Sequence, residues 1–390
     1  MDDHEDYLRR LDTDEDWRRA QFPVAARQIF LAHAAVTVLP SVAAEAMNAF
    51  NTRNATGDLD FSHVLLDEMD NVRASAARLI GARAHEIALL GPTSLGLSLV
   101  ALGLDWRAGD EVICHRDDYP ANVYPWADLE RRGVRVIRLE PERPGEITPD
   151  LVAAALTERT RLVALASCHF LSGYRIDVAA IGRLVRARGA LFCLDAIQTA
   201  GAFPTVVDEV DFLCADSHKW MLGPMAAGIF YVAERHFETL RPALLGAWNV
   251  RSPQFIPQDA IVFEPGARRY EPGVLNASGL LGMQASIDLL LSVGIDRVAS
   301  RLLEHKRRLV AGLVAGGFQV VGPVDGPAAS GITTVTHENP GTISAQIRRW
   351  QAEGIVVSPR QDRSGVPHAR LAPHFYNTPA ELDRVIDTLL

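Results

Sequence analysis

The chain has 390 residues, with 48% hydrophobic, 22% charged and a formal net charge of -9. That length calls for a large domain with a second, smaller one. The acidic balance gives no footprint for nucleic acid, no stretch reaches the roughly 18 apolar residues that span a bilayer, and four cysteines without CxxC spacing exclude a structural zinc site. The acidic start lacks the basic and apolar regions of a signal peptide, so a cytoplasmic location is expected.

Residues 1–22 are highly charged, with Trp17 and Phe22 as isolated anchors, and read as an N-terminal arm. From Ile29 onward strand-length apolar runs alternate with helical patterns. The strands are predicted at Glu86–Leu90, Glu111–Cys114, Arg135–Leu139, Leu162–Ser167, Leu191–Leu194, Phe212–Ala215 and Gly228–Val232. Helices are predicted at Leu151–Leu156 and Ile181–Arg188. Gly133 and Gly189 stand where a helix ends before a strand begins. Alternation of this kind predicts βαβ units in a mostly parallel, covered sheet. The expected fold class is α/β: a large domain over 23–289 with a mostly parallel seven-stranded sheet between helices, and a smaller α+β domain over 290–390. A Gly, Pro and Arg cluster at 264–273 precedes a long helical pattern at about 278–313, broken near Gly294.

Three segments carry chemistry. In the first, Leu89-Leu90-Gly91-Pro92-Thr93-Ser94, a strand ends in a turn and hydroxyls open a helix. Helix-start amides with Thr93 and Ser94 make a phosphate cradle, although Thr and Ser are also routine N-caps. It is not a Walker loop, because no GK[ST] follows. In the second, Leu191-Phe192-Cys193-Leu194-Asp195, a carboxylate ends an apolar strand, at the edge of a parallel sheet where ligands bind. In the third, a strand runs into Asp216-Ser217-His218-Lys219. Desolvation and neighbouring cations lower a lysine's pKa there and suit it to Schiff-base chemistry. Anion cradle, carboxylate and lysine together match the needs of pyridoxal 5'-phosphate (PLP).

On these segments, and on Asp195-Ala196-Ile197-Gln198, Tyr119-Pro120-Ala121-Asn122 and Arg370-Leu371-Ala372-Pro373-His374-Phe375-Tyr376-Asn377-Thr378, the chain resembles the class V aminotransferase and cysteine-desulfurase group of fold-type I PLP enzymes. The likeness extends from about Phe22 to Leu390. It implies that Lys219 holds the cofactor and moves the Cα proton, Asp195 pairs with the pyridine nitrogen, and Gln198 reaches the ring hydroxyl. Thr93 and Ser94 bind phosphate with help from Asp216, Ser217 or His218. Tyr119 stacks on the ring, and Arg370 clamps the substrate α-carboxylate, a task suited to a bidentate guanidinium. His169, Ser172 and His33 are candidate substrate contacts, with a structural role open for both histidines. No metal is expected. The resemblance also implies a homodimer with its active site near the subunit interface.

Two departures bear on function. The loop Ser358–Ala369, where desulfurases of this group carry a sulfur-accepting cysteine, has none. Val274 stands where a Ser or Thr often reaches the neighbouring subunit's phosphate. A C–S lyase acting on an S-substituted cysteine in a biosynthetic pathway is the leading expectation. Aminotransferase, epimerase and decarboxylating deaminase stay open, as does a PLP-binding protein without turnover. The absence of an early GxGxxG and of a GxSxG argues against a dehydrogenase and a serine hydrolase.

Overall fold

A computed structural model of the chain describes residues 3–59 and 64–389. The ends of the expected N-terminal arm and small domain, residues 1, 2 and 390, lie outside the described residues. The arm begins with α1 (Asp3–Thr13) and α2 (Glu15–Gln21), followed by β1 (Ile29–Phe30), α3 (Ser41–Thr56) and α4 (Val64–Ile80). Next come β2 (Ile87–Leu90), α5 (Thr93–Gly103), β3 (Glu111–His115), a single turn α6 (Tyr124–Ala127) and β4 (Arg135–Leu139). The large domain continues through α7 (Pro149–Ala155), β5 (Thr160–Ala166), α8 (Val178–Ala187), β6 (Leu191–Asp195), β7 (Phe212–Asp216), β8 (Gly228–Val232) and α9 (Ala277–Val293).

These seven strands, β2 to β8, form one sheet in the order β2-β8-β7-β6-β5-β3-β4. Only β8 runs antiparallel to its two neighbours. Strands β3, β6, β7 and β8 are almost wholly buried. That is why they read as continuous apolar runs rather than alternating ones. One face packs on Val72 and Ile80 of α4, Ile181 and Val185 of α8, and Leu280 and Ile287 of α9. The other packs on Leu97 and Val100 of α5 with Trp126 and Leu129. Two of these helices start on a side-chain cap: Asp177 accepts from Ala180 N to open α8, and Asn276 from Gly279 N to open α9.

The smaller domain is built from α10 (Ile295–Ala315), β9 (Gln319–Val321), β10 (Thr333–Thr336), α11 (Pro340–Ala352), β11 (Ile355–Val356), β12 (Ser358–Gln361), β13 (Pro367–Leu371) and α12 (Pro379–Asp387). Its four-stranded antiparallel sheet has the order β12-β13-β10-β9. The long helical pattern does break at Gly294, whose φ of 91° turns α10 through 82° from α9. The chain after α2 returns to this domain, since β1 pairs with β11 in parallel and Ala32 bridges Ala372. Leu11 and Phe22 of the arm join Trp220, Leu290, Leu302, Phe375 and Tyr376 in one apolar cluster between the domains. Two ion pairs cross the same boundary, Arg18 to Glu381 and the partly buried Arg301 to Asp12. No single helix among the described residues is long and apolar enough to cross a membrane.

Candidate active site

The carboxyl ends of β6 and β7, the start of α5 and the β12–β13 pair meet around a cavity of about 320 Å³. A ligand crevice at strand ends is what a parallel sheet offers. Thr93, Ser94, Tyr119, Asp195, His218, Lys219 and Arg370 all line it, with Phe170 and Arg360.

Lys219 follows β7 and is buried. Burial pushes its amine down to about 8, helped by Arg370 and Arg360 and opposed by Asp195 and Asp216. Its Nζ lies 5.2 Å from the Tyr119 ring centroid. Asp195, the last residue of β6, is also buried, and burial raises its carboxyl to about 6. A hydrogen bond from Ile197 N at 3.1 Å and the Lys219 charge oppose that rise. Acid and amine are therefore tuned toward each other in one crevice, a common mark of a functional site.

The cradle is built by packing. Pro92 precedes α5 without capping it through a side chain; its carbonyl takes the Leu95 amide at 2.8 Å, which leaves the Thr93 and Ser94 amides at the helix start for an anion. Thr93 Oγ1 accepts from Asp216 N at 2.9 Å and ties the cradle to β7. Asp216 Oδ2 lies 3.0 Å from His218 Nδ1 without hydrogen-bond geometry, and Asp216 Oδ1 and His218 Nδ1 are both buried with no hydrogen-bond partner among the described residues. Arg370, on β13, donates Nη1 to the Phe170 carbonyl. Its Nε and Nη2 are buried with no partner among the described residues. Arg370, which lines the crevice, thus keeps two buried N–H groups unsatisfied, a costly arrangement for a site with nothing to bind.

Besides Asp216, five of the expected residues are not part of this wall. Gln198 donates Nε2 to the Ala34 carbonyl at 3.1 Å and accepts from Trp220 Nε1 at 2.8 Å. It fixes the Ala34 segment, which does line the cavity. Ser217 donates Oγ to the Pro224 carbonyl and closes the turn after β7. His33 is fully buried between Thr37 Oγ1 at 2.6 Å and Tyr376 OH at 3.0 Å. Burial with His374 alongside holds its ring well below the ordinary range. His169 sits between Ser172 Oγ at 2.9 Å and the Asp117 carbonyl at 3.1 Å, pushed down to about 4 by burial. Ser172 is buried with it. The His169 ring packs edge-on against Phe170 at 5.0 Å, and the Phe170 ring lies 5.6 Å from Tyr119.

Two residues escaped the sequence reading. Arg360 lies on β12, where Ser358-Pro359-Arg360-Gln361 reads as a polar loop and only its pairing with β13 makes it a strand. Asp118 is buried behind Tyr119, accepts from Tyr119 N at 2.7 Å and from Asn122 Nδ2 at 3.0 Å, and so sets the ring's position. Burial, and then Asp195, raise its carboxyl to about 7.

The donor set fits PLP. Thr93, Ser94 and the first turn of α5 would hold the phosphate, with His218 beside them; Asp195 would face the pyridine nitrogen and Lys219 the aldehyde. A family model for class V aminotransferases matches residues 29–358. A probable cysteine desulfurase from Methanothermobacter thermautotrophicus is 33% identical over 303 residues, 76% of this chain and 75% of that protein. Isopenicillin N epimerase from Streptomyces clavuligerus is 30% identical over 372 residues, covering 90% and 91%. Among solved structures, the apo cysteine desulfurase from Thermococcus onnurineus NA1 superposes with a TM-score of 0.86 at 23% identity, over 95% and 96% of the two chains. The cystine C–S lyase C-DES, in complex with its product cysteine persulfide, gives 0.86 at 20% identity over 95% and 99%. The structural likeness is one of fold; the family match spans the β6, β7 and α5 ends that build the crevice. The chain therefore belongs to the class V aminotransferase family of PLP-dependent enzymes.

Proposed function

We propose that the protein is a C–S lyase that acts on an S-substituted cysteine in a biosynthetic pathway. The observation that carries this reading is a cavity holding Lys219 and Arg370 but no thiol. All four cysteines are buried elsewhere, and the 358–369 segment contains none. A persulfide relay needs a thiol at the reacting sulfur, whereas elimination needs only a base and a leaving group.

PLP, when bound, supplies an electron sink for negative charge at the substrate Cα. The protein's own residues do the rest. Arg370 offers two N–H groups to the α-carboxylate and so fixes the orientation of Cα. The Lys219 amine, brought near neutrality by burial, takes the Cα proton. Asp195 keeps a negative charge against the ring-nitrogen side. The C–S bond then breaks, the sulfur leaves as a thiol, and water converts the remaining carbon skeleton to pyruvate and ammonia.

A second reading, epimerisation, has its own support. The isopenicillin N epimerase relative aligns over nine-tenths of both chains. Lys219 would take the proton from one face of Cα and an acid on the other side of the cavity would return one to the opposite face. The protein is further proposed to work as a homodimer. Next to the candidate site, sharing Ser94 and Ala121 with it, lies an apolar hollow of about 470 Å³ walled by Leu102, Tyr124 and Pro125. Leu102 and Tyr124 are exposed.

The test is incubation of the PLP-loaded protein with S-ethylcysteine in deuterated water. Equal amounts of pyruvate, ammonia and ethanethiol support the lyase. Intact amino acid with deuterium at Cα and inverted configuration supports the epimerase. Neither product from a panel of S-substituted cysteines would overturn both.

A further inference from the structure

The cavity carries one more cation than an α-carboxylate needs. In the antiparallel pairing of β12 with β13, Ser358 stands opposite Arg370 and Arg360 opposite His368. Strand side chains alternate faces, so Ser358, Arg360, His368 and Arg370 share one face of the sheet. Arg360 and Arg370 both reach the cavity from that face. No ion pair is formed by either guanidinium among the described residues. Among the described residues, the one hydrogen bond of the Arg360 guanidinium is from Nη1 to the carbonyl of its own neighbour, Pro359, at 3.0 Å.

The electrostatic surroundings agree. The group that opposes desolvation of Arg360 is the Tyr119 hydroxyl, and for Arg370 it is Cys168 and Tyr119. No carboxylate among the described residues joins these groups as a cause of either shift. Asp195 and Asp216 act on Lys219 instead. His368, on the same face, adds no negative charge: Nδ1 meets the Val366 carbonyl at 2.8 Å. A single carboxylate, held bidentate, matches one guanidinium. A second half-buried guanidinium left unmatched beside it is unfavourable, because like charges repel and burial weakens the solvation of both.

We propose that the substrate's side chain carries a second oxyanion, such as a carboxylate, and that Arg360 receives it while Arg370 holds the α-carboxylate. This rests on reading the cavity as the amino-acid site. It does not depend on which Cα bond is broken.

The test uses the PLP-loaded protein and ligands that cannot lose a Cα proton. α-Methylaspartate and α-methylglutamate are compared with their side-chain amides, α-methylasparagine and α-methylglutamine, by titrating the cofactor's absorption band. Each acid and amide differ in charge and hardly in size. At least one acid should bind about tenfold or more tightly than its amide, the range for a charge-assisted contact. In Arg360→Gln that ratio should fall toward one, and Arg360→Lys should restore part of it. Equal affinities for acid and amide at both chain lengths would overturn the proposal. So would a preference that survives in Arg360→Gln, or a loss confined to cofactor affinity, which would assign Arg360 to the phosphate. Because no turnover is read, these outcomes are independent of whether pyruvate is formed from cysteine derivatives.

Discussion

At the scale of single residues, chemistry and burial act together. Lys219 ordinarily titrates near 10.5, and burial brings it to about 8. Its reactive form is the neutral amine, so capture of added PLP by the cofactor-free protein should speed up as pH rises through about 8 and level off above it. Stopped-flow absorbance across that range checks this; a midpoint near the ordinary value would place the amine in solvent. The same shift has a stability sign. A lysine whose folded pKa is depressed carries a penalty that is fully present below about 8 and is relieved as pH rises toward the unfolded value. Lys219→Met should therefore abolish activity and raise the melting temperature of the cofactor-free protein by about 2–5 °C near neutral pH. Asp195→Asn keeps shape and removes charge, and should lower kcat by about 10²- to 10³-fold. Asp195 and Lys219 were legible in the sequence because each is an ionisable residue at the end of an apolar run. Arg360 and Asp118 were not: one lies in a strand defined only by its partner, the other in a turn whose burial no local pattern announces.

At the scale of elements, the cavity depends on how closely three strands meet. Gly228 on β8 stands opposite Leu90 at the end of β2 and Asp216 at the end of β7. A Cβ there would lie 2.8 Å from the carbonyl oxygens of Ala215 and Gly91, both backbone. Gly228→Ala should push the phosphate turn away from Asp216 and weaken PLP binding by at least about tenfold, measured by titration of the cofactor-free protein. Unchanged affinity would mean that the cradle is not set by this strand contact. The strands themselves were readable because a covered sheet needs unbroken apolar runs. Their order was not, since β8 inserts between β2 and β7 and its antiparallel direction leaves no trace in its own sequence.

At the scale of the whole molecule, the expected shape was legible from alternation and length, down to the break at Gly294. What no pattern could show was that His33, with Tyr376, His374 and Trp220, forms a buried polar and aromatic junction between the domains. Sequence position beside the cavity and contact with it are different things. The dimer is a prediction at this scale. Sedimentation equilibrium should give twice the chain mass, and Tyr124→Asp, on the exposed wall of the apolar hollow, should shift the mass toward the monomer and weaken cofactor retention together. A mass already monomeric in the parent protein would remove the subunit interface from the account.

The most direct test of the central claim is to load the purified protein with PLP, reduce it with borohydride and map the modified peptide by mass spectrometry, alongside Lys219→Ala. The account predicts one cofactor per chain, attached at Lys219 and absent from the variant. Cofactor on another lysine, or none after prolonged loading, would contradict it.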